Sequence, residues 1–124
     1  MKAKVLVIED NYEILENTLE ILELQGYEAI GAHNGREGIE KIFEYIPDIV
    51  LSDIMMPEAD GYEVLNAMLS DQRTAKIPFV FLTASVERKD VQAGFDLGAK
   101  GYVRKPFELE ELLETIRFCL QQSS

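Results

Sequence analysis

The sequence predicts a doubly wound α/β fold: a three-layer sandwich in which five parallel strands are covered by helices on both faces. Three observations carry this reading. Short apolar runs and amphipathic segments alternate strictly along the chain, five of each. The runs are continuously apolar, as strands buried on both faces are, whereas a half-exposed antiparallel strand would alternate. The chain is 124 residues long and 47% hydrophobic, which is the size and apolar content of one cored domain rather than two. Alternation of this kind implies right-handed crossovers and a parallel sheet.

Val5-Leu6-Val7-Ile8 reads as the first strand. From Tyr12 to Leu24 the period changes, placing Leu15, Thr18, Leu19 and Leu22 on one helical face and Glu16, Glu20 and Glu23 elsewhere; Gly26 stops the helix. Tyr27 to Ala32 is a second, weaker strand. Asn34 caps a helix that runs to about Tyr45, with Ile39, Ile42, Phe43 and Ile46 facing inward, and Pro47 ends it. Ile49-Val50-Leu51 is the third strand, followed by the loop Asp53-Ile54-Met55-Met56-Pro57. Asp60 or Gly61 opens a helix with Val64, Leu65, Met68 and Leu69 on its apolar face. Phe79 to Leu82 is the fourth strand, with a helix from Val86 to Leu97 after it. Gly101-Tyr102-Val103 is the fifth, and Phe107 to Leu120 closes the chain as an amphipathic helix.

Twelve basic residues against 23 acidic ones give a net charge of −11, which repels nucleic-acid phosphates and anionic lipid, so direct binding to either is not expected. Residues 1–62 hold 14 acids and 4 bases; residues 63–124 hold 9 and 8. The negative excess therefore sits mostly in the first half, although a solvated acidic surface accounts for much of it. One cysteine, Cys119, excludes a disulfide framework. No apolar stretch approaches the roughly 18 residues of a spanning helix, and Met-Lys-Ala-Lys runs straight into the first strand. A cytoplasmic protein without a leader is expected.

Ligands of an open parallel sheet bind outside the carboxyl ends of its strands. Those positions carry Glu9 and Asp10 after the first strand, Asp53 after the third, Thr83, Ala84 and Ser85 after the fourth, and Lys105 and Pro106 after the fifth. Each has an ordinary structural explanation alone: a turn cap for Asp53, a helix cap for Glu9-Asp10-Asn11, helix-start residues for Thr83 and Ser85, a turn for Lys105-Pro106. Independent caps do not require three acids, a hydroxyl and an ammonium group to converge on one edge. Three close carboxylates repel unless a cation joins them, and their hard oxygens suit Mg²⁺, with Mn²⁺ the alternative. A hydroxyl and a lysine beside a metal-bound carboxylate make a receptacle for phosphoryl oxygens, and an aspartate can serve as a phosphoryl-transfer nucleophile.

The motifs Val-Ile-Glu-Asp-Asn at 7–11, Leu-Ser-Asp-Ile-Met-Met-Pro at 51–57, Asp-Gly-Tyr-Glu-Val-Leu at 60–65, Leu-Thr-Ala at 82–84 and Gly-Ala-Lys-Gly-Tyr-Val-Arg-Lys-Pro-Phe at 98–107 span essentially the whole chain. In that order and spacing the sequence resembles the receiver (phospho-acceptor) domains of two-component response regulators. The resemblance implies a single receiver domain over 1–124, flavodoxin-like, with strand order 2-1-3-4-5. It implies that Asp53 accepts phosphate from a sensor histidine kinase or phosphotransfer protein, and that Asp10, Asp53 and the Met55 carbonyl, with Glu9 beside them, hold Mg²⁺. Thr83 matches the switch hydroxyl and Lys105 the lysine that pairs with the phosphoryl group. Pro106 matches a proline often preceded by a cis bond, and Tyr102 the aromatic switch, for which ordinary strand packing stays open. The only catalysis implied is the domain's own phosphorylation and dephosphorylation. Output is expected through the fourth helix, fifth strand and last helix, to a partner or a C-terminal effector domain, from a monomer or weak dimer. Lys89, Lys100, Arg104 and Arg117 lie in that half, as partner contacts or as solvated side chains.

The sequence departs from the family in places. Glu9 stands where an aspartate is common, and its extra methylene either reaches the metal directly or holds its waters differently. Met55 and Ser85 occupy the positions flanking the attacking water, and Met55 offers no group to orient it, so slow loss of phosphate is expected. Thr115 replaces an arginine typical of dimer contacts in winged-helix relatives, which mildly favours a stand-alone messenger, although Gln121 to Ser124 equally suits the start of a linker. A flavin-phosphate module would need a Ser/Thr/Gly-rich loop where Glu9-Asp10 stands. A degenerate scaffold would lack Asp53 or Lys105, and phosphatases with an aspartate nucleophile normally carry it after the first strand.

Overall fold

The computed structural model describes residues 2–56, 58–84 and 88–123; Met1, Pro57, Ser85, Val86 and Ser124 of the sequence reading lie outside the described residues. The strands are β1 (Lys4–Ile8), β2 (Glu28–Ala32), β3 (Ile49–Ser52), β4 (Phe79–Thr83) and β5 (Gly101–Arg104). The helices between and after them are α1 (Tyr12–Leu24), α2 (Gly35–Tyr45), α3 (Gly61–Leu69), α4 (Arg88–Leu97) and α5 (Leu109–Ser123). All strand pairs are parallel, in the order β2-β1-β3-β4-β5, so the sheet reverses direction of growth between β1 and β3.

Side chains of a strand point alternately to its two faces, and this alternation divides the core. Val5, Val7, Ile49, Leu51, Val80, Leu82 and Val103 pack on one face with Leu15 and Leu22 of α1 and Leu112 and Ile116 of α5. Leu6, Ile8, Val50, Phe79 and Phe81 pack on the other with Ile42 of α2 and Val64, Leu65 and Met68 of α3. Each fully buried aliphatic side chain contributes about 2 kcal/mol.

The caps follow the sequence. Asn11, Asn34 and Asp60 each accept a hydrogen bond from the amide three residues on, at 3.0, 2.8 and 2.9 Å. Two expected core residues are corrected. Ile46 is 40% exposed because the chain turns left-handed there (φ 45°) to leave α2 before Pro47. Leu69, the last residue of α3, is 37% exposed because it lines an open groove at the end of that helix rather than the closed core. In addition, α5 begins at Leu109 rather than Phe107 and runs past Leu120, and β2 starts one residue late. Gly38, unremarked in the sequence, lets α2 lie against Ile8: a Cβ there would sit 2.4 Å from the Ile8 side chain.

Candidate functional site

The sheet's hydrogen bonding continues one residue beyond three strand ends. The Glu9 amide donates to the Ala32 carbonyl at 3.0 Å, the Asp53 amide to Ile8 at 3.1 Å and the Lys105 amide to Thr83 at 2.9 Å. Each of these site residues is therefore held by the neighbouring strand before its side chain does anything. The backbone of the sheet, rather than a mobile loop, sets the spacing of the charged groups.

Those groups meet. Lys105 Nζ donates to Asp53 Oδ2 at 2.9 Å and makes a second, shorter bond to Glu9 Oε1. Asp53 Oδ1 accepts the Ile54 amide at 2.7 Å, and Glu9 Oε2 accepts the Asn11 amide at 3.1 Å. Glu9 is 2% exposed and Asp53 9%, while Asp10 faces solvent. Burial pushes the Glu9 carboxyl above its ordinary pKa, against the pull of Lys105 and the Asn11 amide. Burial also works to lower the Lys105 pKa, but its bonds to Glu9 and Asp53 outweigh this and hold the ammonium above its ordinary value.

Carboxylate oxygens of Glu9, Asp10 and Asp53 lie within 4.8 Å of one another. Octahedral Mg²⁺ with oxygens at about 2.1 Å needs its ligand atoms roughly 3 to 4 Å apart. A small contraction, or a bridging water, fits the trio to such an ion. The donor set is all oxygen, which suits a hard divalent cation. Gly61 closes the site from below. Its amide donates to Ile54 at 2.7 Å, and a Cβ there would lie 2.4 Å from the Asp53 carbonyl, so only glycine lets α3 begin so close to the Asp53 turn.

Thr83, 3% exposed, ends β4 and stands opposite Arg104 in the register. Tyr102 is half-buried opposite Phe81, with ring centroids 6.4 Å apart. Met55 is 75% exposed on the loop after Asp53, and Pro106 follows Lys105 through a cis bond. The structure thus brings together Glu9, Asp10, Asp53 and Lys105, places Thr83 at the same strand edge, and sets Tyr102 on β5 behind it.

The sequence reading missed three participants: the Asn11 and Ile54 amides, which are backbone groups without a residue-type signal, and Phe81, which looks like any core residue. It placed Glu9 at the metal, directly or through its waters, or in a helix cap, and did not foresee its bond to Lys105.

The chain matches the family model described as response regulator receiver domain over residues 5–117. It belongs to that family. Receiver domains are the regulated half of two-component systems, and the relatives of this one are named regulators. It is 36% identical to the DNA-binding dual master transcriptional regulator RpaA of Synechocystis sp. over 97% of this chain and 50% of RpaA. Among solved structures it superimposes on the chemotaxis protein CheY4 of Vibrio cholerae with TM-score 0.91 and 32% identity, covering 96% of this chain and 99% of that one. A CheY-like receiver domain protein of Methanospirillum hungatei gives TM-score 0.90 and 28% identity over 99% and 97%. The receiver fold, with its strand order 2-1-3-4-5, is therefore as the sequence predicted. The chain spans about half the length of the curated relatives it matches. No helix among the described residues is long and apolar enough to cross a membrane.

Proposed function

We propose that this receiver domain accepts a phosphoryl group on Asp53 from a phosphohistidine of a sensor kinase or phosphotransfer protein. The observation that carries the reading is the pairing of Asp53 Oδ2 with Lys105 beside two further carboxylates. A lone buried aspartate at a strand end does not gather this company. Glu9, Asp10 and Asp53, with the Met55 carbonyl, are the residues that would hold Mg²⁺, which supplies charge neutralisation for the transferring oxygens. An Asp53 oxygen attacks phosphorus, the P–O bond forms as the P–N bond breaks, and the bonding pair leaves with the imidazole. Lys105 stays against the phosphoryl oxygens, and Thr83 donates its hydroxyl to one of them.

A groove of about 540 Å³ between α1 and the segment 105–107, lined by Ile14, Thr18, Ile21, Lys105 and Phe107, adjoins the acceptor. A protein donor seated there brings its phosphoryl group to the Lys105 side of Asp53. Phosphorylation then favours one arrangement of Thr83 and Tyr102 over another, and the surface of α4, β5 and α5 changes with it. That surface acts on a separate output protein or on an effector domain in a cytoplasmic monomer or weak dimer. The domain's own catalysis is confined to gaining and losing its phosphate.

The test is incubation with phosphoramidate or acetyl phosphate and Mg²⁺, followed by intact-mass measurement. One added phosphate on the wild type and none on Asp53→Asn is expected. Equal labelling of both proteins, or none of the wild type, removes the reading.

A further inference from the structure

A second groove, of about 600 Å³, opens at the opposite pole of the sheet from Asp53, where α3 ends, β4 and β5 begin, and α5 makes its last turns. Its floor and walls are apolar: Leu69, Ile77, Phe118 and the buried Cys119, whose thiol burial pushes above its ordinary pKa and so keeps uncharged. Phe118 is 59% exposed and Leu69 37%, an aromatic and an aliphatic side chain that line the same groove. Two exposed ammonium groups, Lys76 and Lys100, flank this floor, and neither joins an ion pair among the described residues. The nearby Asp71 carboxylate is already held by Arg73 at 3.0 Å.

In a molecule of net charge −11 this placement is selective. A carboxylate-bearing partner is repelled by the acidic half and by the rim around Glu9 and Asp10. At the pole of Lys76 and Lys100 it is attracted. An apolar floor between two exposed cations recognises an apolar side chain with acids on either side.

We propose that this groove docks a short acidic–apolar peptide segment of a partner protein, an aromatic or leucine side chain entering between Leu69 and Phe118 while flanking carboxylates meet Lys76 and Lys100. The surface is separate from Asp53 and from the α1 groove, so the proposal stands whether or not Asp53 is phosphorylated.

The test is selection of a randomised linear peptide library on the 124-residue chain, followed by fluorescence-polarisation titration of the enriched peptides. Enrichment of sequences combining Phe, Tyr or Leu with Asp or Glu is expected. Their affinity should fall about tenfold or more in Lys76→Glu/Lys100→Glu and in Phe118→Ser, and weaken with added salt. All three side chains are exposed, and urea unfolding of each variant verifies its fold. Peptides that bind the variants as well as the wild type, or no enrichment, overturn the proposal. So does a charge reversal that only lowers stability, which would assign the lysines to the carbonyl ends of α3 and α5. Binding of phosphatidylglycerol vesicles instead of peptides, or a wild-type dimer that the charge reversal disperses, gives the groove to a lipid surface or a second copy and equally overturns it.

Discussion

Lys105 Nζ lies 2.9 Å from Asp53 Oδ2, and its other strong bond runs to Glu9. The ammonium is therefore already aimed at the oxygen beside which a phosphoryl group would build up charge. Lys105→Gln removes the charge and leaves a neutral hydrogen-bond donor one atom shorter. The rate of phosphate uptake from phosphoramidate should fall roughly 10²-fold, with Asp53 still the acceptor. Rates followed by intact mass test this, and an unchanged rate would remove Lys105 from the chemistry.

The shared ammonium has a consequence for metal binding. Glu9 has one oxygen on Lys105 and the other on the Asn11 amide, so a cation must compete for it. Glu9→Asp withdraws the carboxylate by one methylene, and Asp53 remains as partner for Lys105. Mg²⁺ affinity of Glu9→Asp should tighten several-fold, while Asp10→Asn should weaken it about tenfold or more. A cation held by three carboxylates that only folding brings together stabilises the folded chain, so on the proposed reading millimolar Mg²⁺ should also raise the wild-type unfolding midpoint, and less so for Asp10→Asn. Calorimetric titration and thermal unfolding in Mg²⁺ and in EDTA decide both points.

Met55, 75% exposed on the rim beside Asp53, has a thioether where a hydrogen-bonding side chain would hold a water. Met55→Asn supplies such a group without touching the core. Loss of phosphate from Asp53 should speed up several-fold, read as the decay of the phosphorylated mass after removal of the donor. A variant no faster than wild type would take from Met55 its role in slow hydrolysis.

Away from the site, Glu37 Oε1 accepts the His33 amide at 3.1 Å and lies 3.5 Å from Lys41 Nζ. Partial burial works to raise the Glu37 pKa, but the His33 amide, Lys41 and the His33 ring outweigh it and bring it below the ordinary 4.5. With the folded value depressed, the unfolded chain binds the extra proton. The stabilisation is complete above 4.5 and lost as pH falls through the folded value. Glu37→Gln keeps the amide contact and removes the charge, so it should cost about 0.5 kcal/mol at neutral pH and progressively less as pH falls below 4.5. Urea unfolding of both proteins across this range checks the sign.

The elements and the site residues were legible for different reasons. Continuous runs such as Val5 to Ile8 and Phe79 to Leu82 announce strands buried on both faces, and Asn11, Asn34 and Asp60 announce helix starts because their side chains replace missing backbone partners. Asp53 and Lys105 stand 52 residues apart in the chain, and only the parallel topology brings them together. What stayed hidden depends on tertiary distance. Ile46 keeps a helical period up to a residue whose backbone turns left-handed, and Glu9's second partner follows from side-chain length measured against a fifth strand.

Phe81 is the clearest case of such a hidden contact, and it gives a last prediction. Its ring meets Tyr62 at 5.3 Å, Phe79 at 5.1 Å and Tyr102 at 6.4 Å, joining α3, β4 and β5 in one aromatic cluster. A Cβ on Gly94 would come within 2.5 and 2.8 Å of that ring, so α4 lies on Phe81 only because Gly94 has no side chain. In an exposed helix Gly→Ala gains about 1 kcal/mol. Here the methyl group must displace a ring packed on several sides, an overpacking cost of about 1 to 3 kcal/mol. Gly94→Ala should therefore be net destabilising by roughly 1 kcal/mol, and Phe81→Leu in the same chain should remove most of the clash. A double-mutant cycle in urea measures this: the two substitutions together should cost less than the sum of their separate effects. Strict additivity would mean that α4 shifts freely away from the ring, and that Phe81 does not tie its position to Tyr102.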